Sequence, residues 1–191
     1  MSLPAIGQAQ MLADQLALLI ERERPTSIAI VGCAGGNGLD RIEPGQMERI
    51  VAVDINPTYI KAVRIRHTRR LAHLELYCDD IQSTSLQFKP VDMIYAALLF
   101  EYVDVGVALA SLQRHCRPGG LLATLIQLAH RDHDVVSPSP YKSLNLLASV
   151  MKLIAPAELA RLAVATGFTV AERELIELPS GKQFSLQTFR A

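Results

Sequence analysis

The sequence has no tryptophan, few aromatic residues (5%) and no net charge, because 19 Lys and Arg balance 19 Asp and Glu. A broad basic field that would grip a nucleic-acid backbone is therefore absent. The shortage of aromatic side chains also leaves no obvious stacking platform for single strands. The basic stretch Arg64–Arg70 is better explained as the solvated face of a helix than as a binding patch. We expect no nucleic-acid partner.

Cysteines are few, and no apolar run is long enough to span a membrane. Cys33, Cys78 and Cys116 lack CxxC spacing, so neither a disulfide framework nor a zinc site is predicted. Residues 1–25 lack the basic start and unbroken apolar core of a signal peptide and predict an amphipathic helix ending before Pro25. We therefore expect a cytoplasmic protein that does not contact a membrane.

What the sequence does have is an alternation of short apolar runs with helical patterns. The predicted strands cover 27–31, 49–55, 74–78, 91–98 and 120–128. The predicted helices between and after them cover 57–71, 105–116 and 156–167. Because each strand is apolar on both faces, we expect a doubly wound α/β sheet, mostly parallel and covered by helices on both sides.

The carboxyl-terminal part departs from this alternation. Two strand-like runs, 168–178 and 183–190, flank the turn sequence PSGK and predict a hairpin with an antiparallel strand. The whole chain is then one domain with a Rossmann-like sheet of about seven strands. Its parts are an N-terminal helix (1–25), a core (27–128), a polar-to-apolar segment (129–155) and a C-terminal helix with the hairpin (156–191).

A glycine loop follows the first strand in the stretch SIAIVGCAGGNGLDRI, with four glycines within residues 32–38. We interpret Gly38–Ile42 as the first turn of a helix. A strand that turns through glycines into a helix directs N–H groups toward an anionic or hydrogen-bond-accepting ligand. A tight connection without a ligand is the alternative.

Acidic residues end the next two strands. Asp54 follows Gly32 by 22 residues and is placed to accept hydrogen bonds from ribose hydroxyls. In the sequence CDDI, Asp80 could accept a bond from an exocyclic amine, and Ile81 could pack against a purine. Since the carboxyl ends of adjacent strands meet at one edge, the pattern predicts a cofactor that contains adenosine.

These features together resemble the class I S-adenosylmethionine-dependent methyltransferases over nearly the whole chain. The matching features are the loop IVGCAGG, Asp54, the pair Asp80 and Ile81, the stretch VDMIYAALLFEYVD, the CRPGG turn and the terminal hairpin. The resemblance implies a seventh, antiparallel strand between the fifth and sixth. It implies S-adenosylmethionine as cofactor, S-adenosylhomocysteine as product, and methyl transfer to an acceptor that we expect to be a small molecule. The cofactor-binding residues it implies are Gly32, Cys33, Ala34, Gly36, Asp54, Ile55, Asp80, Ile81 and Ala97.

Two residues depart from the family pattern. Ile30 stands where the family usually has an acid, and Ala34 replaces the second loop glycine, at little cost if its φ is negative. A cofactor-binding protein without catalysis is one alternative function. A short-chain dehydrogenase is another, because Gly32, Gly35 and Gly38 fit GxxGxxG. That class needs a Tyr-x-x-x-Lys pair, and no tyrosine here has lysine four positions later.

The acceptor side is predicted from residues beyond the fourth and fifth strands. Glu101 follows the fourth strand, and His130, His133 and Tyr141 lie on a long polar segment after the fifth. These four are the candidate catalytic residues. The spacing of the histidines matches no specific metal site, so no metal is predicted. The apolar residues 141–156 could form a lid or the surface of a homodimer.

Overall fold

The computed structural model describes residues 4–129 and 151–191, which build one seven-stranded sheet with helices on both faces. The strands are β1 (Ser27–Val31), β2 (Arg49–Asp54), β3 (Leu74–Cys78), β4 (Val91–Ala97), β5 (Cys116–Gln127), β6 (Thr169–Glu177) and β7 (Gln183–Arg190). The helices are α1 (Pro4–Glu23), α2 (Pro57–His67), α3 (Val105–His115) and α4 (Pro156–Ala165). No helix in these two ranges is both long and apolar enough to cross a membrane.

The strands lie in the order β3-β2-β1-β4-β5-β7-β6. Strands β1 to β5 pair in parallel, and β7 runs antiparallel to both β5 and β6. The predicted mostly parallel sheet, with β7 inserted before β6, is therefore confirmed. Between β1 and β4 the strand order reverses, and in such sheets a ligand crevice opens at the carboxyl ends of the strands on either side of that point.

Apolar stripes on the helices cover the central strands. Leu12, Leu16 and Leu19 of α1 are buried against one face, and Leu109 and Leu159 are buried against the other. The expectation that each of the first five strands is apolar on both faces is wrong for the edge strand β3. Strand β3 is mostly half-buried and β6 is almost wholly exposed, because an edge strand has a neighbour on one side only.

The helix predicted to begin at Gly38 does not form. The chain makes a single 3₁₀ turn at Leu39–Arg41 and continues into β2. Pro44 lies five residues after the turn begins and cannot donate a helical hydrogen bond, so the segment is too short for an α-helix. The glycine loop therefore gains no helix dipole, and it must be held by side chains.

Two arginines, one in the last turn of α2 and one just after it, hold the loop and the 3₁₀ turn instead. Arg66 donates to the carbonyl of Gly35 at 3.1 Å. The guanidinium of Arg70 donates to the carbonyl oxygens of Leu39 and Ile42. Part of the stretch predicted to be a solvated helix face thus supplies the hydrogen bonds that a longer helix would have made internally. Helix α2 also ends at His67, four residues earlier than predicted.

Candidate active site

The glycine loop, residues 32–38, lies at the carboxyl ends of β1 and β2. The backbone N–H groups of Gly32 and Cys33 both donate to the carbonyl of Val53, at 2.9 and 3.1 Å. These bonds fix the start of the loop to the neighbouring strand. A Cβ at Gly32 would meet Leu99 only at an ordinary contact distance of 3.4 Å, so the loop is open on that side.

Asp54 ends β2 beside the loop and ties the two together. Its Oδ2 accepts from the N–H of Ala34 and its Oδ1 from the N–H of Asn56, both at 2.8 Å. The residue is only 9% exposed. A carboxylate offers about four acceptor positions, so these two bonds leave capacity for a ligand's hydroxyl groups.

Ala34 does not have the negative φ that would make alanine inexpensive at this position. Its φ is +45°, in the left-handed region that favours glycine. The charge-assisted bond from its N–H to Asp54 offsets part of that strain. The hydrogen bond to Asp54, and not a negative φ, therefore makes alanine tolerable at this position.

At the end of β3, side chains are arranged differently from the expected acidic-aliphatic pair. The carboxylate of Asp80 accepts from the backbone and side chain of Gln82, with Oδ1 at 2.9 and 3.2 Å. The side chain of Ile81 is only 4% exposed and packs in the core. The exposed apolar side chain at this edge is Ile55, which follows Asp54 and is 66% exposed.

A small cavity of about 190 Å³ lies between the glycine loop and α1. Its walls include Leu12 of α1, Ile30, and Tyr95 and Ala97 of β4. The hydroxyl of Tyr95 donates to the carbonyl of Leu12 at 2.7 Å, which joins α1 to the sheet beneath the cavity. Sequence reasoning found Ala97 but missed Tyr95. The two-residue spacing was an available signal, because residues i and i+2 of a strand share a face.

Among the described residues, none that lines the cavity carries a charged side chain. The walls are formed by Leu12, Ile30, Val31, Gly32, Cys33, Ala34, Asn37, Tyr95, Ala97 and Leu98. Burial raises the pKa of the Cys33 thiol to about 12, and burial also raises the pKa of Tyr95. Both groups are therefore neutral at physiological pH, and Ile30 adds an apolar surface where the family pattern has an acid.

Glu101 lies in the turn between β4 and α3 and is 1% exposed. Its Oε1 accepts from the backbone N–H of Gln127 at 2.8 Å, and its Oε2 has no hydrogen-bond partner among the described residues. Burial raises the pKa of this carboxyl to about 7. The helix that follows is capped instead by Asp104, whose Oδ1 accepts from Val107. Glu101 thus joins the turn after β4 to the end of β5.

Glu101 should make folding stability fall as pH rises. Because its folded pKa of about 7 lies above the usual glutamate value of 4.5, the folded state retains a proton that the unfolded state loses between these values. Stability should therefore decrease by roughly 3 kcal/mol from below pH 4.5 to above pH 7. The Glu101→Gln variant cannot ionise, so its stability relative to wild type should rise across this range. Urea unfolding of both proteins at pH 5 and pH 8 measures the difference, and parallel pH profiles would contradict it.

The remaining candidate catalytic residues, His130, His133 and Tyr141, lie outside the described residues. Most of the segment 129–155 does so as well. The structure therefore brings together the cofactor-side candidates, at the carboxyl ends of β1 to β4, with Glu101 in the turn just beyond β4.

The arrangement of loop, Asp54 and strand order is shared with a known family. The model of the family described as "Methyltransferase domain" matches residues 30–124, which include the glycine loop, β2 to β4, the end of β1 and most of β5. The chain belongs to the class I S-adenosylmethionine-dependent methyltransferases. It is thus an enzyme of that class, with S-adenosylmethionine as its cofactor.

Solved structures share the fold of this methyltransferase at low sequence identity. The N-methyltransferase NodS from Bradyrhizobium japonicum WM9, in complex with S-adenosylhomocysteine, has a TM-score of 0.71 and 18% identity over 95% of this chain and 86% of its own. The [4+2]-cyclase SpnF has a TM-score of 0.73 and 13% identity, over 94% of this chain and 79% of its own. Among curated proteins, none matches the sequence.

The described residues fit the cofactor, but the part that suits its nucleoside is polar and the part that suits its other end is neutral. Asp54 keeps acceptor capacity beside an open loop, and Ile55 offers an exposed apolar surface next to it. These features suit a nucleoside. The cavity beside β1 is neutral and, at about 190 Å³, smaller than the roughly 300–1,000 Å³ of a whole ligand site, so it suits one end of the molecule.

Proposed function

We propose that this methyltransferase transfers a methyl group from S-adenosylmethionine to a small-molecule acceptor by in-line displacement. The observation that carries the proposal is Asp54, a nearly buried carboxylate that is bonded to the glycine loop and still has free acceptor positions. Three free cysteines suit a cytoplasmic setting.

We propose that the cofactor's parts follow the strand order. The adenine would lie at the end of β3, with Asp80 and the backbone of Ile81, and the ribose at Asp54 with Ile55 beside it. The loop residues Gly32, Cys33, Ala34 and Gly36, with Ala97 of β4, would border the remainder. The linear order β3-β2-β1-β4 supports this placement, because the ends of these strands form one continuous row.

The cofactor supplies a methyl group already activated by a positively charged sulfur, so the protein's task is to position the acceptor and exclude water. The loop and Asp54 would hold the nucleoside rigidly on two strand ends. Glu101 is buried and bonded to the end of β5, which supports a role in positioning the acceptor side. His130, His133 and Tyr141 are proposed as acceptor-side groups on the strength of the sequence alone.

Labelled turnover tests this proposal. The purified protein would be incubated with S-adenosylmethionine carrying a radiolabelled methyl group and a panel of amines, phenols, carboxylic acids and thiols. We expect label in at least one small molecule, with S-adenosylhomocysteine formed in equal amount. Label found only in added protein or nucleic acid would contradict the small-molecule acceptor, and the Asp54→Ala variant serves as a control for transfer by contaminants.

A further inference from the structure

We infer that the protein binds the amino-acid end of its cofactor without a charge partner for the ammonium group, so that affinity depends little on that ammonium. The inference rests on the proposed function. It concerns the small cavity beside the glycine loop, lined by Leu12, Ile30, Tyr95 and their neighbours.

The position of this cavity identifies the part of the ligand that it would receive. If the adenosine extends along the ends of β3 and β2, the remainder must continue toward β1 and β4, which come next in the sheet. The cavity lies there, between the loop and α1, and Ile30 of β1 and Ala97 of β4 are in its walls. An apolar cavity of about 150 Å³ is known to hold a small organic molecule, so about 190 Å³ is sufficient for one end of the ligand.

The part of the wall that the structure describes offers that end no carboxylate. None of the lining residues is Asp, Glu, Lys, Arg or His, and the two titratable groups, Cys33 and Tyr95, stay neutral. The neighbouring carboxylate, Asp54, is already bonded to the backbone of Ala34 and Asn56 and faces the proposed ribose. Burying an ammonium without a charged partner costs far more free energy than leaving it hydrated. The ammonium would therefore remain hydrated or meet only backbone carbonyls.

Asn37 provides a way to add the missing charge. It lines the cavity from the exposed side of the loop, and its Nδ2 donates to the carbonyl of Ala9 at 3.1 Å. Both Asn37→Asp and Asn37→Ala remove that bond. A difference between these two variants therefore reports the added carboxylate and not the lost contact with α1.

The test compares S-adenosylhomocysteine with the same molecule lacking its α-amino group, by calorimetric titration of the full chain. We expect the deaminated ligand to bind within about threefold of S-adenosylhomocysteine, or more tightly, whereas loss of a charge-assisted hydrogen bond costs roughly tenfold or more. The Asn37→Asp variant should prefer the amino-bearing ligand roughly tenfold more than Asn37→Ala does.

Three results would overturn the inference. A tenfold or greater preference of the wild-type protein for S-adenosylhomocysteine would show a charged partner and would leave the proposed function intact. Equal preferences in the two Asn37 variants would show that the amino group does not reach this cavity. Failure of both ligands to bind would overturn the inference and the proposed function together.

Discussion

Replacing Gly36 by alanine is expected to destabilise the protein by about 2–5 kcal/mol. A Cβ at this position would lie 2.8 Å from Nε2 and 2.9 Å from Cδ2 of the His67 ring, and Gly36 has a φ of +93°. The added methyl group therefore meets both backbone strain and overpacking against α2. No α-helix begins directly after Gly36, so a helix start does not reduce this loss of stability. Urea unfolding measures the loss, and S-adenosylhomocysteine binding should weaken with it.

A substitution at Gly45 distinguishes backbone strain from overpacking against His67. The φ of Gly45 is +80°, yet a Cβ there would meet nothing within 4 Å. The Gly45→Ala variant should therefore lose only about 1–2 kcal/mol from strain. Adding His67→Ala to Gly36→Ala removes the overpacked ring and should recover roughly 1–3 kcal/mol relative to the sum of the single changes. Equal losses at Gly36 and Gly45 would contradict the steric role of His67.

Replacing Asp54 by alanine should reduce both stability and cofactor affinity. The carboxylate accepts from the N–H groups of Ala34 and Asn56 and is nearly buried. Loss of these two charge-assisted bonds should cost about 2–4 kcal/mol of folding free energy. Loss of the proposed ribose contacts should weaken S-adenosylhomocysteine binding by roughly 1.5–3 kcal/mol in addition. Unfolding and calorimetric titration of the same preparation measure the two effects.

Asp80→Ala is the matched control for the stability measurement only, because Asp80 is itself proposed to bind the adenine. Its carboxylate holds the local turn through Gln82 and, among the residues that the structure describes, makes no hydrogen bond to the glycine loop. We expect it to lose no more than about 1.5 kcal/mol of stability, the value of an ordinary hydrogen bond. If Asp54→Ala were as stable as wild type, the hydrogen bond between Asp54 and the loop would make no contribution to folding stability.

The sheet could be predicted from the sequence because its signals are local. The apolar runs 50–53 and 93–96 are buried within their strands, and glycine or proline marks their ends. The PSGK turn likewise predicted the hairpin of β6 and β7 correctly. The half-burial of β3 could not be predicted from its own residues, because it depends on which strand lies at that edge of the sheet.

The site was predictable by position but not in its bonding. Gly32, Asp54 and Ala97 lie at strand ends, as expected from their order in the chain. The failure of the helix after Gly38 has a local cause in Pro44, but the bonds by which Arg70 holds this segment depend on a contact between residues far apart in sequence. The neutral wall of the cavity likewise depends on the burial of Tyr95, whose hydroxyl meets the carbonyl of Leu12 only in the folded protein.

Calorimetric titration with S-adenosylhomocysteine and, separately, with NAD tests the central claim most directly, because the glycine spacing also fits a dehydrogenase loop. The account predicts saturable binding of one S-adenosylhomocysteine per chain, weakened about tenfold or more by Asp54→Ala, and no heat with NAD. Saturable binding of NAD, or S-adenosylhomocysteine binding that Asp54→Ala leaves unchanged, would contradict the assignment of the glycine loop and Asp54 to this cofactor.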